Sequence, residues 1–480
     1  FGYLICSSAQ ADSSGDKTQN NWDTTLSSAD FWILKIDALG NKQWDKRYGG
    51  TSGDGCAVVR QTNDGGYFLA GGSSSENLIG DKSQSPWYIL NTNVRSLDYW
   101  VIKTDSIGNK QWDKRFGGTD SDMLIDAQIT SDGGYILGGS SWSGIGGDKT
   151  QSNWDIAQFY VDYWIVKIDS NGNKQWDKRY GGIQNDQLAA INQTSDGGYI
   201  LAGTSDSPIS GDKSQNSHGL EDYWIIKINS IGTKIWDKSI GGSKDDHLSN
   251  MVITSDGGFL MAGDSYSPMS GNKSENNLFP NLSQGWLVKL SAVGQLQWEK
   301  TLLIPVSYFL FTDAVQTYDN CYTSISINWG GIGGYNSQAS KGNADYWMVK
   351  FCQLPPQANF TTTTNTICDS TCINFTNLSN GGATYQWFFP GASPAYSTLQ
   401  EPSNICYNQP GTYDVTLIVS NELGFDTLTF HNYISVKAPT IKPWISQNGD
   451  TLFAHPSYAH YAWFPATMPG DTLDRKSTRL

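Results

Sequence analysis

Asp162-Tyr163-Trp164-Ile165-Val166-Lys167-Ile168-Asp169-Ser170-Asn171-Gly172-Asn173-Lys174-Gln175-Trp176-Asp177-Lys178-Arg179-Tyr180-Gly181-Gly182 is the stretch that decides the fold. Trp164, Val166 and Ile168 alternate with Tyr163, Ile165 and Lys167, the period of two of a strand with two faces, and Asn171-Gly172 is a two-residue hairpin signal. The same stretch recurs along the chain. Its two tryptophans, always 12 residues apart, fall at 32 and 44, 100 and 112, 164 and 176, 224 and 236, and 286 and 298. Glycine stands at 40, 108, 172, 232 and 294, eight residues after each opening Trp, so the turn is expected to need a positive φ. Beyond Gly182 come a third apolar run from Leu188, a Thr194-Ser195-Asp196-Gly197-Gly198 turn and a fourth run, Tyr199-Ile200-Leu201-Ala202-Gly203. From the second Trp to Gly66, Gly134, Gly198 and Gly258 is always 22 residues, but from those glycines to the next opening Trp is 34, 30, 26 and 28. Each repeat is therefore a fixed core with one elastic loop, and binding residues displayed by the repeats are expected on the loop.

Four short antiparallel strands per repeat imply the blade of a β-propeller, with a β-solenoid as the alternative and helical repeats excluded by the Gly, Asn and Asp density. Taking the Tyr-Ile-Leu-Ala-Gly run as the first strand of a blade gives starts near 3, 67, 135, 199, 259 and 322, hence about six four-stranded blades over residues 1–353. The first and last repeats are expected to be incomplete, and because Phe1 enters mid-repeat the native N-terminus is expected upstream. The Trp pairs are read as inter-blade packing, since each buries about 200 Å².

The chain has 480 residues, 46 Asp+Glu against 32 Lys+Arg and a net charge of -14, with 38% hydrophobic residues. Such a balance without a basic stripe argues against nucleic acid, and no apolar run is long enough for a membrane-spanning helix. Asp with 51 Gly is turn chemistry. Arg475 to Leu480 reads as a non-native tail.

The alternation of Asp-Tyr-Trp-Ile-Val-Lys-Ile-Asp with Thr-Ser-Asp-Gly-Gly-Tyr-Ile-Leu-Ala-Gly resembles repeats of large secreted Bacteroidetes proteins exported by type IX secretion. It covers residues 1 to 352 and says little about ligand. Residues 354–437 resemble a PKD domain, an immunoglobulin-like sandwich. Ala358-Asn359-Phe360 opens it, Trp387 supplies the core and Gly411 to Asn421 is a strong match. The Gly-Asp-Gly usual after the core Trp is replaced by Phe389-Pro390-Gly391-Ala392. Residues 438–474 look like a partial second Ig-like module. These resemblances imply a secreted or outer-cell-surface location.

Thr130-x-Asp132-x-Gly134 and its copies at Thr62, Thr194 and Thr254 fit the start of the sialidase Asp-box, which in that family is a structural hairpin. Arg47, Arg115 and Arg179 share one repeat position, and with Arg60 and Arg95 they are expected to point away from any common carboxylate. His218, His247, His431, His455 and His460 show no metal-ligand spacing. Asp54, Asp122, Asp186 and Asp246 lie four residues after each Gly-Gly, and Asp16, Asp81, Asp148 and Asp212 lie in Gly-Asp-Lys loops. Oxygen-rich loops of this kind suit Ca²⁺, and turn hydrogen bonding explains the same pattern. Strand parity puts the long loops and the Gly-Gly turns on one face, where Trp22, Trp87, Tyr88, Trp142 and Trp154 are candidates for stacking on a ligand.

Blade geometry pairs Cys321 with Cys352 across a hairpin, and Cys372 with Cys406 in the sandwich, leaving Cys368. Cys6 stands where other repeats have Ala and Cys56 where they have Leu, so both are expected to be buried free thiols. Two functions are compatible with these features. One is a non-catalytic, adhesin-like extracellular binding and scaffold protein that holds a glycan or a protein on its loop face. The other is a secreted carbohydrate-active enzyme with an accessory PKD module. The near-identity of the repeats favours the first, because an active site draws unlike residues from different blades.

Overall fold

A computed structural model of the chain describes residues 2–455 apart from 76–79, 88–95, 156, 305–312, 329–330, 343–344, 353–354, 369, 383, 422–423, 439–443 and 449–450. No helix occurs among the described residues. The chain divides into two compact units, Phe1–Cys352 and Gln353–Leu480. Tyr88, Arg95, His460 and the tail from Arg475 lie outside the described residues.

The first unit is a succession of antiparallel sheets. The opening sheet is β1 (Gly2–Ala9), β2 (Asp30–Asp37) and β3 (Lys42–Tyr48). Four four-stranded sheets follow. They are β4 (Asp54–Gln61), β5 (Tyr67–Ser73), β6 (Asp98–Thr104) and β7 (Lys110–Phe116); then β8 (Asp122–Ile129), β9 (Tyr135–Ser141), β10 (Asp162–Ile168) and β11 (Lys174–Tyr180). Next come β12 (Asp186–Gln193), β13 (Tyr199–Ser205), β14 (Asp222–Ile228) and β15 (Lys234–Ile240), then β16 (Asp246–Ile253), β17 (Phe259–Ser265), β18 (Gln284–Leu290) and β19 (Leu296–Leu302). The last sheet is β20 (Asp313–Gln316), β21 (Tyr322–Asn328) and β22 (Asp345–Phe351). This is β-propeller architecture, with strands meeting their neighbours in chain order and β4, β8, β12, β16 and β20 packed in succession.

Blade phase differs from the expectation by one strand. Each four-stranded sheet opens on the strand after Gly-Gly, not on the Tyr-Ile-Leu-Ala-Gly strand, so the Gly-Gly link joins one blade to the next. The link is squeezed. A Cβ on Gly181 would lie 2.2 Å from the Asp162 carboxylate and one on Gly182 2.5 Å from Ser207. The constant spacing that made this link look like a within-sheet turn thus reflects its tight passage over the sheet end. The long loops and the Gly-Gly links still share a face, because strands alternate in direction whichever is counted first.

Blades adhere through the Asp-Tyr-Trp tripeptide. Tyr163 on β10 packs on Trp224 of the next blade at 5.1 Å between centroids, and its hydroxyl donates to the Trp224 carbonyl at 3.2 Å. Tyr99 does the same to Trp164 and Tyr223 to Trp286. Phe31 packs on Trp100 at 5.0 Å between centroids, without the hydroxyl. Trp100, Trp164, Trp224 and Trp286 are fully buried. The second tryptophans serve the neighbouring hairpin. A Cβ on Gly172, at φ +80°, would stand 3.0 Å from Trp112 of the preceding blade, so this glycine supplies both the left-handed turn and the close approach. At the outer sheets the pattern is interrupted. Trp32 is half-buried, and Tyr346, the counterpart of buried Tyr99, is 82% exposed.

The second unit is a sandwich. One sheet runs β24 (Thr366–Cys368), β32 (Gly424–Lys437), β31 (Gly411–Asn421), β27 (Thr384–Phe388), β29 (Tyr396–Ser397), and another β25 (Thr371–Ile373), β30 (Ile405–Tyr407), β28 (Ala392–Ser393). A short pair, β23 (Phe360–Thr362) with β26 (Phe375–Asn377), completes the unit around buried Trp387, Phe360, Phe389 and Val415. Beyond it the described part of the partial module is one hairpin, β33 (Trp444–Asn448) with β34 (Thr451–His455). Cys321 is bonded to Cys352 and Cys372 to Cys406. Cys6 and Cys56 are thiols, half-buried instead of fully buried, at the junction of the first described sheet with the one that follows.

Candidate functional site

The loop face is built from a side-chain set repeated at successive blade junctions. The Trp154 indole N–H donates to Asp212 of the next loop at 3.0 Å, while the Arg179 guanidinium lies 4.4 Å over its ring and donates to the same Asp212 at 3.0 Å. Trp87 repeats the indole bond and the guanidinium over the ring with Asp148 and Arg115, and Trp22 with Asp81 and Arg47. Backbone fixes each tryptophan from the other side, the Trp154 amide donating to buried Asp162 at 2.9 Å. Trp22, Trp87 and Trp154 remain 36%, 43% and 42% exposed, so each is a latch between blades and also an indole presented to solvent. Trp142 is half-buried, its amide bonded to the Ser121 carbonyl, and does not join these sets.

Beneath the latches lies a buried charge network that explains the Gly-Asp-Lys motif. The Lys149 ammonium is buried and donates to Ser141 at 2.6 Å, the Ser143 carbonyl at 2.8 Å and Asn153 at 2.6 Å. Asp122 accepts from the Gly118 amide at 2.7 Å and Ser143 at 2.9 Å, and Asp186 and Asp246 accept from Gly182 and Gly242. Asp54 is held likewise by Gly50, Ser75 and Ser73. Burial raises these carboxyls, Asp122 to about 6 and Asp186 to about 7. Their neighbours Asp98 and Asp162 rise to about 7 and about 8 by burial, with a second carboxylate nearby adding to the effect. Burial lowers Lys149 to about 8.

The eight aspartates proposed for calcium therefore fall into different settings. Asp81, Asp148 and Asp212 receive Trp N–H and glycine N–H donors. Asp54, Asp122, Asp186 and Asp246 are buried in the network, and Asp16 is exposed. Among the described residues one group offers three ligand atoms close enough for an ion, Glu221, Asp245 and His247, and it contains none of the eight. His247 there faces Glu221 at 2.8 Å and Asp264 at 3.4 Å, and these carboxylates raise it to about 10, the state of an imidazolium ion pair. The Thr-x-Asp-x-Gly turns are structural hairpins. Asp132 accepts from the Gly134 amide at 3.0 Å and pairs with Lys167 at 2.9 Å.

At the fourth junction the latch is replaced as a set: His218 stands for Trp, Ser239 for Arg and Asn272 for Asp. The smaller side chains leave a cleft of about 550 Å³ lined by His218, Lys238, Ser239, Asn272 and Gln295.

A second concavity was not foreseen. Residues from β4, β8, β12, β16 and β20 line a channel of about 510 Å³. Arg60 donates to Asp126 at 3.1 Å and to Gln128 at 3.2 Å across the second junction, and the Ile191 amide donates to Asp126 at 3.0 Å. Asn192 donates to the Met251 carbonyl, and Asn250 to Asp313 at 2.5 Å, so polar contacts bridge each pair of inner strands. Arg60 thus meets a carboxylate of another blade, away from Arg47, Arg115 and Arg179, each of which lies against a different aspartate. The signal was present in the repeats. Val58, Asp126, Ala190 and Asn250 share one position, and Arg60, Gln128, Asn192 and Val252 another, so divergence concentrates where unlike blades converge.

Residues 357–434 match the PKD domain family. Over 162 residues the chain is 24% identical to the regulatory protein FlaEY of Caulobacter vibrioides, a match spanning 32% of this chain and 17% of that protein. Among solved structures, a GH43 β-xylosidase/α-arabinofuranosidase from a compost microbial metagenome aligns at 12% identity and TM-score 0.30, covering 61% of this chain and 89% of that one. A fungal alcohol oxidase of the AA5 family aligns at 12% identity and TM-score 0.32, covering 89% and 94%. A PKD domain and disulfides are features typical of extracellular proteins.

Proposed function

We propose that the chain is a non-catalytic, adhesin-like protein of the cell exterior, in which the loop face of the propeller holds an extracellular glycan or protein and the PKD unit serves as a spacer. One observation carries this reading. Three half-exposed indoles, on Trp22, Trp87 and Trp154, recur at successive junctions, each fixed by an aspartate and an arginine. A rigid aromatic plane loses little entropy on stacking, and the ring faces suit the C–H faces of sugars, so a glycan with a repeating structure is the partner favoured. The resemblance to type IX-secreted Bacteroidetes repeats fits the same exterior location. The test is affinity electrophoresis of the full chain in gels containing soluble polysaccharides of differing backbones. Retardation by one of them should be lost in Trp87→Ala/Trp154→Ala and kept in Asp212→Asn, which loosens a latch but leaves the indole. Unaltered retardation in the double variant counts against the proposal.

A secreted carbohydrate-active enzyme is the second reading, and the channel favours it. Asp126 and Asp313 stand there on different blades, and burial raises Asp126, as an acid paired with a second carboxylate would require. Release of reducing sugar by the purified chain, abolished by Asp126→Asn, would establish that reading in place of the first.

A further inference from the structure

We propose that Cys6 and Cys56 form a disulfide between the first and second blades of the propeller in the mature protein. Cys6 lies on β1 and Cys56 on β4, strands that pack against each other across the first blade junction. Both side chains lie in one apolar cluster with Phe31, Leu4 and Val59, the Cys56 thiol donating to the Val58 carbonyl at 3.7 Å.

The repeats show how specific the placement is. At the next junction the corresponding pair is Ala70 with Leu124, then Gly138 with Leu188, then Ala202 with Leu248. These positions touch. A Cβ on Gly138 would lie 2.6 Å from a Leu188 methyl carbon, and Ala70 shares a cluster with Leu124, as Ala202 does with Leu248. A small and a large apolar residue thus face each other at three junctions, and at the first both have become cysteine. One such change would be an ordinary thiol in an apolar site. Two on opposite sides of one contact, in a chain already carrying two disulfides, put sulfur against sulfur.

The chemistry balances by exchange with an external disulfide, such as that of a thiol–disulfide oxidoreductase. The Cys6 thiol, held below its ordinary value by the neighbouring Cys56 side chain, ionises and its thiolate attacks the external S–S bond and expels one thiolate. Cys56 then loses its proton and attacks the Cys6 sulfur, expelling the second thiolate. Two protein thiols are oxidised, and one external disulfide is reduced to two thiols. The bond would tether the outermost blade, which has only one neighbouring sheet among the described residues.

The test counts thiols in the full chain, secreted into an oxidising compartment, purified without reductant and titrated in denaturant. Seven cysteines less the four in the two disulfides leave three, Cys6, Cys56 and Cys368. The expected result is one thiol per chain, with the peptides 1–17 and 48–60 joined in a non-reducing tryptic map. Cys6→Ala should raise the count to two. Cys6→Ala/Cys56→Leu, which restores the pair used at the next junction, should fold and leave one thiol with no joined peptide. Three thiols in the wild-type protein, or Cys6 or Cys56 joined instead to Cys368, would overturn the proposal.

Discussion

Replacing Trp154 with Ala tests whether the loop-face tryptophans are latches as well as platforms. Slightly over half of this side chain is covered, which for a Trp of about 200 Å² corresponds to about 120 Å² and about 3 kcal/mol at 25 cal/mol per Å². The hydrogen bond to Asp212 contributes about 1 kcal/mol and the Arg179 stacking about 0.5 kcal/mol. Against this, Arg179 can tighten on Asp212 and Asp162 once the ring is gone, and extended-chain areas overstate burial. The net expectation is a loss of about 3 kcal/mol, confined to the junction between the third and fourth blades because repeated blades couple mainly to their neighbours. The variant therefore should not melt like the wild type, as a purely surface role for the indole would require. The assay is native-state hydrogen exchange, read at the Asp212 amide, bonded to the Gly181 carbonyl, and at the Gly181 amide, bonded to the Asp212 carboxylate. A loss of about 3 kcal/mol appears as exchange faster by about 150-fold when opening limits the rate thermodynamically. Exchange within about threefold of wild type at both amides would refute the latch.

Acidity should stabilise the propeller over part of the pH range. Asp98, Asp122, Asp162 and Asp186 have folded-state values of about 6 to about 8, above an unfolded value of about 3.9, so between these limits the folded state holds more protons and stability falls as pH rises. The guanidinium midpoint of the propeller should be higher at pH 5 than at pH 8, and Asp162→Asn should shrink the difference; a higher midpoint at pH 8 contradicts the network. Below about pH 4 the trend should reverse, since Asp132 and Asp196 are held at about 2 by their turn hydrogen bonds and lysine partners. Gly203→Ala would set a Cβ 2.0 Å from the Gln187 carbonyl oxygen and 2.6 Å from the Tyr163 hydroxyl, and should cost about 3 kcal/mol in denaturant unfolding. Gly197→Ala, at φ +79° with open space around it, should cost about 1 kcal/mol. Millimolar EDTA or added Ca²⁺ should leave the melting temperature unchanged, because the network aspartates already accept donors from the chain; a shift of several degrees would return calcium to these loops.

What the sequence made legible was whatever the chain repeats. Trp164 with Trp176 and the turn at Asn171-Gly172 fixed the strands, because alternation and turn chemistry are local. Blade phase was not legible, since Gly181-Gly182 has the composition of a hairpin turn and only hydrogen bonding shows that the strands flanking it belong to different sheets. The candidate site was legible in part. Trp22, Trp87 and Trp154 could be assigned to one face, but their partners Asp81, Asp148 and Asp212 lie about 60 residues away, a pairing visible only once blades are neighbours. The pairing of Arg60 with Asp126 escaped notice because a search for likeness between repeats passes over the positions where they differ.

The Asp-Tyr-Trp tripeptide has a consequence for how such a chain can grow. Its Trp receives the preceding blade and its Tyr grips the following one, so three consecutive codons encode both the socket and the plug. A duplicated gene segment therefore inserts a blade that already fits on both sides, without a compensating change elsewhere. At the fifth copy Gly285 replaces the tyrosine and supplies no ring to Trp347. Beyond that point duplication alone no longer reproduces the joint, and the last sheet instead carries its own internal brace, the Cys321–Cys352 bond between the paired ends of β21 and β22.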